Sequence, residues 1–194
     1  MVGKFIVIYG ANNLGKTEQA KRLISNLEEK GFNTKYLKYP IYDLEPTGPR
    51  INAALREGFN LSDEELQLEF AQNRRDFEPV LKRILDSGDW IVAEDYKGTG
   101  IAWGVTHGID LARMEEMNDG LYREDLSLLL EGERFTSRIE RGHRHEENSD
   151  WNKAREVHKI LGERYGWEVI KANQTPEEVA RNVWEIVEKK LLNS

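Results

Sequence analysis

The segment GKFIVIYGANNLGKTEQAKRLI, residues 3–24, constrains this chain more than any other. Within it GANNLGKT, residues 10–17, has the form Gly-x-x-x-x-Gly-Lys-Thr. Glycines let backbone N–H groups curl around an anion, and a following helix points its positive end at the same place. Directly before the loop lies KFIVIY (4–9), a short apolar, β-branched run of the kind buried on both faces of a sheet. Directly after it, Gly15–Lys30 reads as a helix: Ala20, Leu23, Ile24 and Leu27 share one face, and Gly31 can end it. Strand, loop and helix in succession predict a nucleoside-triphosphate site. Gly10, Ala11, Asn13, Leu14 and Gly15 cradle the phosphates, Lys16 neutralises them, and the Thr17 hydroxyl ligates Mg²⁺.

Strand and helix signals alternate along the rest of the 194 residues. NTKYLKY (33–39), stopped by Pro40, reads as a strand, as do WIVAE (90–94), LSLLLE (126–131) and WEVIKA (167–172). Ser62 and Glu65 form a capping-box pair ahead of Leu66, Phe70, Phe77, Leu81 and Ile84 at helical spacing, and Pro79 predicts a kink or break. Thr175-Pro176-Glu177-Glu178 opens a last helix whose inner face is Val179, Val183, Ile186 and Val187. Five short strands separated by helices predict one α/β domain over residues 1–194, a mostly parallel sheet covered on both sides. With no cysteine, disulfides and thiolate metal sites are excluded. No apolar run approaches the roughly 20 residues of a membrane span, and the N-terminus lacks a signal-peptide pattern. A cytoplasmic protein without membrane contact is therefore expected. A net charge of −7 argues against a nucleic-acid partner, which selects for a basic face.

A P-loop is shared by kinases, switches and motors, so the remaining blocks have to choose among them. Together they resemble the thymidylate kinases, P-loop enzymes that pass the γ-phosphate of ATP to dTMP. The resemblance runs from FIVIYGANNLGKT to TPEEVARNVWEIV. KYPIYD (38–43) is similar to the family's aromatic-Pro segment, where the monophosphate acceptor enters, and implicates Tyr39 and Pro40. Tyr42 stands where the family often has an arginine, and Arg50 in PTGPRINAAL is expected to compensate. LEFAQNRRDFEPVLKRIL (68–85) resembles the family helix that ends in A-x-x-R. That match implies Phe70 stacked on the pyrimidine ring and Arg74, one turn on, hydrogen-bonded to its exocyclic oxygen; taken alone, Phe70 reads as core.

WIVAEDYKGTGIAWG (90–104) is similar to the family strand ending in Asp-Arg-Tyr and the Ser-x-x-Ala-Tyr-Gln after it. Glu94 replaces the Asp, Asp95 the Arg, Thr99 the Ser and Trp103 the Tyr, while Tyr96 and Ala102 are retained. The resemblance implies that Glu94, with Asp95, holds a water of the Mg²⁺ shell. It also implies that Tyr96, Thr99 and Trp103 border the acceptor, with Trp103 beside the sugar. Losing the arginine that bridges donor and acceptor phosphates is the largest departure. RIERGHRHEENSDW (138–151) occupies the position of the family's lid, at about residues 136–150. Because GANNLGKT has no arginine, Arg138, Arg141 and Arg144 are expected to close over the transferring phosphoryl. His143 and His145 alone are too few for a zinc site. Ala172, Asn173 and Gln174 are implied along the adenine edge, and Asn12 at the acceptor's 3′-hydroxyl.

The resemblance thus implies a three-layer P-loop kinase fold with a lid, a homodimer, and ATP with Mg²⁺. Two alternatives stay open. One is a kinase for another deoxynucleoside monophosphate, or for a deoxynucleoside, whose 5′-hydroxyl needs a base such as Asp43 or Glu94. The other is a nucleotide-binding regulatory module without turnover.

Overall fold

The computed structural model describes residues 2–135 and 148–193. Five strands, β1 (Phe5–Tyr9), β2 (Thr34–Lys38), β3 (Trp90–Glu94), β4 (Leu126–Glu131) and β5 (Glu168–Lys171), form one sheet in the order β2-β3-β1-β4-β5. Every pairing is parallel. Helices α1 (Lys16–Glu29), α2 (Thr47–Arg56), α3 (Asp63–Asp86), α4 (Lys97–Thr106), α5 (Leu111–Met117), α6 (Asn148–Tyr165) and α7 (Pro176–Val187) supply the crossovers and cover. A π-helical stretch, Glu188–Leu192, follows α7.

β1 is the centre of the sheet and is buried along its whole length. Alternation sends its side chains to opposite faces. Ile6 and Ile8 join Val92, Leu128 and Leu130 under Ala20, Leu23 and Leu27 of α1 and Val179, Val183 and Val187 of α7. Phe5, Val7 and Tyr9 join Ile91, Ala93 and Leu129 under Leu81 and Leu85 of α3. Helix, sheet and helix make the three expected layers. The order reverses at β1, between β3 and β4, and such a switch point opens a crevice beyond the carboxyl ends of the strands.

α3 departs from expectation by running unbroken through Pro79. A proline removes one ladder donor, and here both Pro79 and Arg75, whose carbonyl loses it, lie on the exposed side, open to water. The Ser62–Glu65 capping box forms as read, with Ser62 Oγ accepting from the Glu65 backbone N–H. α2 begins at Thr47 with Pro49 in its first turn, where a missing N–H costs nothing.

Candidate active site

A cavity of about 700 Å³ opens at the carboxyl ends of β1, β2 and β3. The 12–17 loop forms its floor, α3 and α4 form one wall, and the chain after β2 with the end of α2 forms another. Phe135, Ala172, Gln174, Pro176 and Val179 close the far side.

The loop keeps its shape through backbone that few residues adopt. Gly10 has φ +139°, and a Cβ there would stand 2.6 Å from the Leu130 carbonyl oxygen. Asn13 takes a left-handed φ of 62°, tolerable for asparagine, and the left-handed Gly15 caps α1. Lys16 is buried, and its ammonium donates to the carbonyls of Gly10 (2.8 Å) and Ala11 (3.0 Å). Asp95 Oδ1 lies 3.5 Å from the same nitrogen.

Thr17 Oγ1 donates to Glu94 Oε2 at 2.9 Å. Glu94 is 1% exposed and is braced from the neighbouring strand. Lys38 sits opposite it in register, with its ammonium 3.8 Å from Oε2, and the Tyr36 hydroxyl donates to Oε1. Burial first, then that hydrogen bond, pushes the Tyr36 phenol up, so it stays a donor. Asp95 has a left-handed φ of 57° and accepts from Thr99 Oγ1 at 2.9 Å. Hydroxyl and carboxylate oxygens at one spot are a hard donor set that suits Mg²⁺. Among the described residues, no group of three or more acidic or histidine side chains is arranged to hold a metal ion by itself.

On the wall, Phe70 and Arg74 of α3 face Thr99, Gly100 and Trp103 of α4. Arg74 Nη1 donates to Asn118 Oδ1 at 3.0 Å, and burial draws its pKa down. α4 can approach because residue 100 is glycine; a Cβ there would come within 2.6 Å of Arg74 Nη2. Behind the loop, on α6, His158 is fully buried. Its Nδ1 lies 2.7 Å from the Ala154 carbonyl, which can only accept, so Nδ1 carries the hydrogen.

The family model described as thymidylate kinase matches residues 8–183. The chain belongs to the thymidylate kinase family. Thymidylate kinase of Dictyostelium discoideum is 30% identical over 189 residues, covering 93% of this chain and 83% of that protein. Thymidylate kinase of Homo sapiens is 25% identical over 187 residues, covering 93% and 88%. A solved structure of thymidylate kinase from Candida albicans matches with a TM-score of 0.85 at 23% identity, covering 97% of this chain and 92% of that one. That likeness is one of fold.

Of the residues aligned with thymidylate kinase motifs, Asn12 to Thr17, Tyr39, Pro40, Phe70, Arg74, Glu94, Asp95, Thr99, Trp103 and Ala172 all line the one cavity. Gly10 and Ala11 act behind it, through the carbonyls that hold Lys16. Three expectations are corrected by position. Tyr96 is fully buried beneath the cavity, with its ring 5.1 Å from that of Phe5 and 5.0 Å from that of Tyr39. Arg50 points away and pairs with Glu69 at 2.8 Å. Asn173 braces the backbone of Glu133, donating to its carbonyl at 3.0 Å, while Ala172 and Gln174 on either side of it line the cavity. Arg138, Arg141 and Arg144 lie outside the described residues.

Sequence reading missed several lining residues. Arg56 lies over the Tyr42 ring at 5.0 Å, so a cation stands beside the position where the family arginine is absent. Phe135 reaches the cavity because its N–H donates to the Asn13 carbonyl at 3.0 Å, and Trp151 Nε1 ties the Asn12 carbonyl at 2.7 Å. Only Gln67 carried a signal, since it shares the helical face of Phe70 and Arg74.

Proposed function

We propose that the chain is an ATP-dependent kinase that transfers the γ-phosphate to dTMP, giving dTDP and ADP. The observation that carries this reading is a single cavity joining the Lys16–Thr17 phosphate loop to the Phe70, Arg74 and Trp103 pocket. ATP lies with its phosphates in the 10–17 loop and its adenine toward Ala172 and Gln174. The acceptor's ring stacks on Phe70, with Arg74 donating to its exocyclic oxygen and Trp103 crowding a 2′-hydroxyl. Mg²⁺ would be held by Thr17 Oγ1 and, through a water, by Glu94, and when bound it neutralises charge on the donor phosphates.

The nucleophile is an oxygen of the acceptor's own phosphate, already ionised at neutral pH, so no general base is needed. Catalysis is then alignment and charge neutralisation. Lys16 leaves the Gly10 and Ala11 carbonyls for the phosphates, and Asp95 with Thr99 borders the line of transfer. Arg138, Arg141 and Arg144 supply the remaining positive charge. In this reading the enzyme works in the cytoplasm as a homodimer.

The test is Lys16→Ala. Transfer to dTMP should fall by at least about 100-fold while the thermal transition stays in place. Unchanged turnover in that variant would contradict the mechanism.

A further inference from the structure

α3 carries Gln67, Phe70 and Arg74 at spacings of three and four residues, so all three face one side of the helix, and all three line the cavity. Gln67 is 1% exposed and Arg74 is 5% exposed. Among the described residues, neither Gln67 Oε1 nor Arg74 Nε has a hydrogen-bond partner. Folded proteins almost always pair such buried atoms. Here an acceptor and a donor, both left over, flank one aromatic ring.

Phe70 is itself mostly buried, so the ring offers a slot rather than an open surface. A ligand that completes all three residues is flat, stacks on the ring, and presents one N–H and one carbonyl oxygen. A 2,4-dioxopyrimidine, the 4-oxopyrimidine ring of thymine and uracil, has that pattern: its N3–H lies between two carbonyls. Cytosine reverses it, with a bare N3 and an amino group at C4.

We propose that Gln67 is a specificity-determining residue whose Oε1 accepts the N3–H of a 4-oxopyrimidine acceptor while Arg74 donates to a ring carbonyl. The inference rests on the reading of the chain as a pyrimidine nucleotide kinase. Rotating the Gln67 amide to offer Nε2 to cytosine N3 still leaves the guanidinium facing an amino group. The pair together therefore sets the choice. Arginine alone selects an oxygen; the glutamine adds a demand for the adjacent hydrogen.

The test measures binding of dTMP, N3-methyl-dTMP, 3′-deoxy-dTMP and dCMP to the full chain by titration calorimetry. It compares the wild type with Gln67→Met, which keeps length and removes both polar atoms. The wild type should bind N3-methyl-dTMP and dCMP about tenfold or more weakly than dTMP. Gln67→Met should bind dTMP about tenfold more weakly than wild type, with N3-methylation costing it little further. Affinity for a non-hydrolysable ATP analogue should be unchanged, which reports an intact fold.

The proposal is overturned if Gln67→Met binds dTMP as wild type does, or pays the full N3-methyl penalty. It is also overturned if the loss vanishes only with 3′-deoxy-dTMP, which would assign Gln67 to the sugar. Should the variant not fold, ¹⁵N3-labelled dTMP bound to wild type carries the test. Its imino proton should resonate as a hydrogen-bonded, exchange-protected signal, and absence of that signal overturns the proposal. Wild-type chain that binds none of the four nucleotides overturns the kinase reading itself. Binding of dTMP without coupling to Gln67 overturns this inference alone.

Discussion

Lys16 donates to two carbonyls of its own loop and stands 3.5 Å from Asp95, so the cation that receives phosphates is held by surrogates before they arrive. Asp95 is the costlier of these, because a carboxylate beside incoming phosphates repels them. Asp95→Asn removes that repulsion and keeps a group able to accept from Thr99. Its dissociation constant for an ATP analogue should be about five- to tenfold lower than that of wild type, measured by calorimetry. Weaker binding in the variant would contradict this electrostatic account. That Asp95 faces Lys16 was not legible in the chain, since residues 16 and 95 meet only through the pairing of β1 with β3. His158 was equally silent. Burial, then the neighbouring Lys16 charge, lowers its pKa to about 4 from an ordinary 6.5, against the opposing effects of the Ala154 carbonyl and Asp95. The unfolded chain therefore takes up this proton first as pH falls. The stability it confers is complete above pH 6.5 and is lost toward pH 4, by about 3 kcal/mol. Urea unfolding at several pH values should show that slope in wild type and a flatter one in His158→Leu.

At the scale of elements, β2 is an edge strand of the sheet. Tyr36 and Lys38, two residues apart on β2, project from one face of the sheet, and both reach Glu94, which stands opposite Lys38 in register. A metal site depends on such outer partners, whose loss typically lowers metal affinity about 10- to 100-fold. Tyr36→Phe should therefore raise the Mg²⁺ concentration for half-maximal nucleotide binding about tenfold, with ATP affinity recovered at saturating Mg²⁺. An unchanged Mg²⁺ requirement would show that Tyr36 only packs. Most elements were legible, because WIVAE and LSLLLE are short apolar runs bounded by polar turns, and their bounds match the structure. The capping pair at Ser62 was legible for the same local reason. Arg50 was not, because Glu69 on α3 draws its charge away from the cavity, and that pairing depends on how α2 packs against α3.

Across the whole molecule, the reversal of strand order at β1 lets the phosphate loop after β1 and Glu94 at the end of β3 meet in one crevice. The helix before β3 and the helix after it then fold over that crevice as a wall, bringing Phe70 and Trp103 to one cavity. Sequence blocks identify both ends of this arrangement, but only the fold reveals that a continuous space connects them. The family supplies a cation at position 95 and this chain an anion, so the identity of the acceptor is where the account stands or falls. The decisive measurement is phosphate transfer from labelled ATP, with Mg²⁺, to a panel of dTMP, dUMP, dCMP, dAMP, dGMP and thymidine, resolved by product. dTDP should be the main product, with dCMP and thymidine poor acceptors. Preferred phosphorylation of thymidine, or no transfer to any monophosphate, would contradict it.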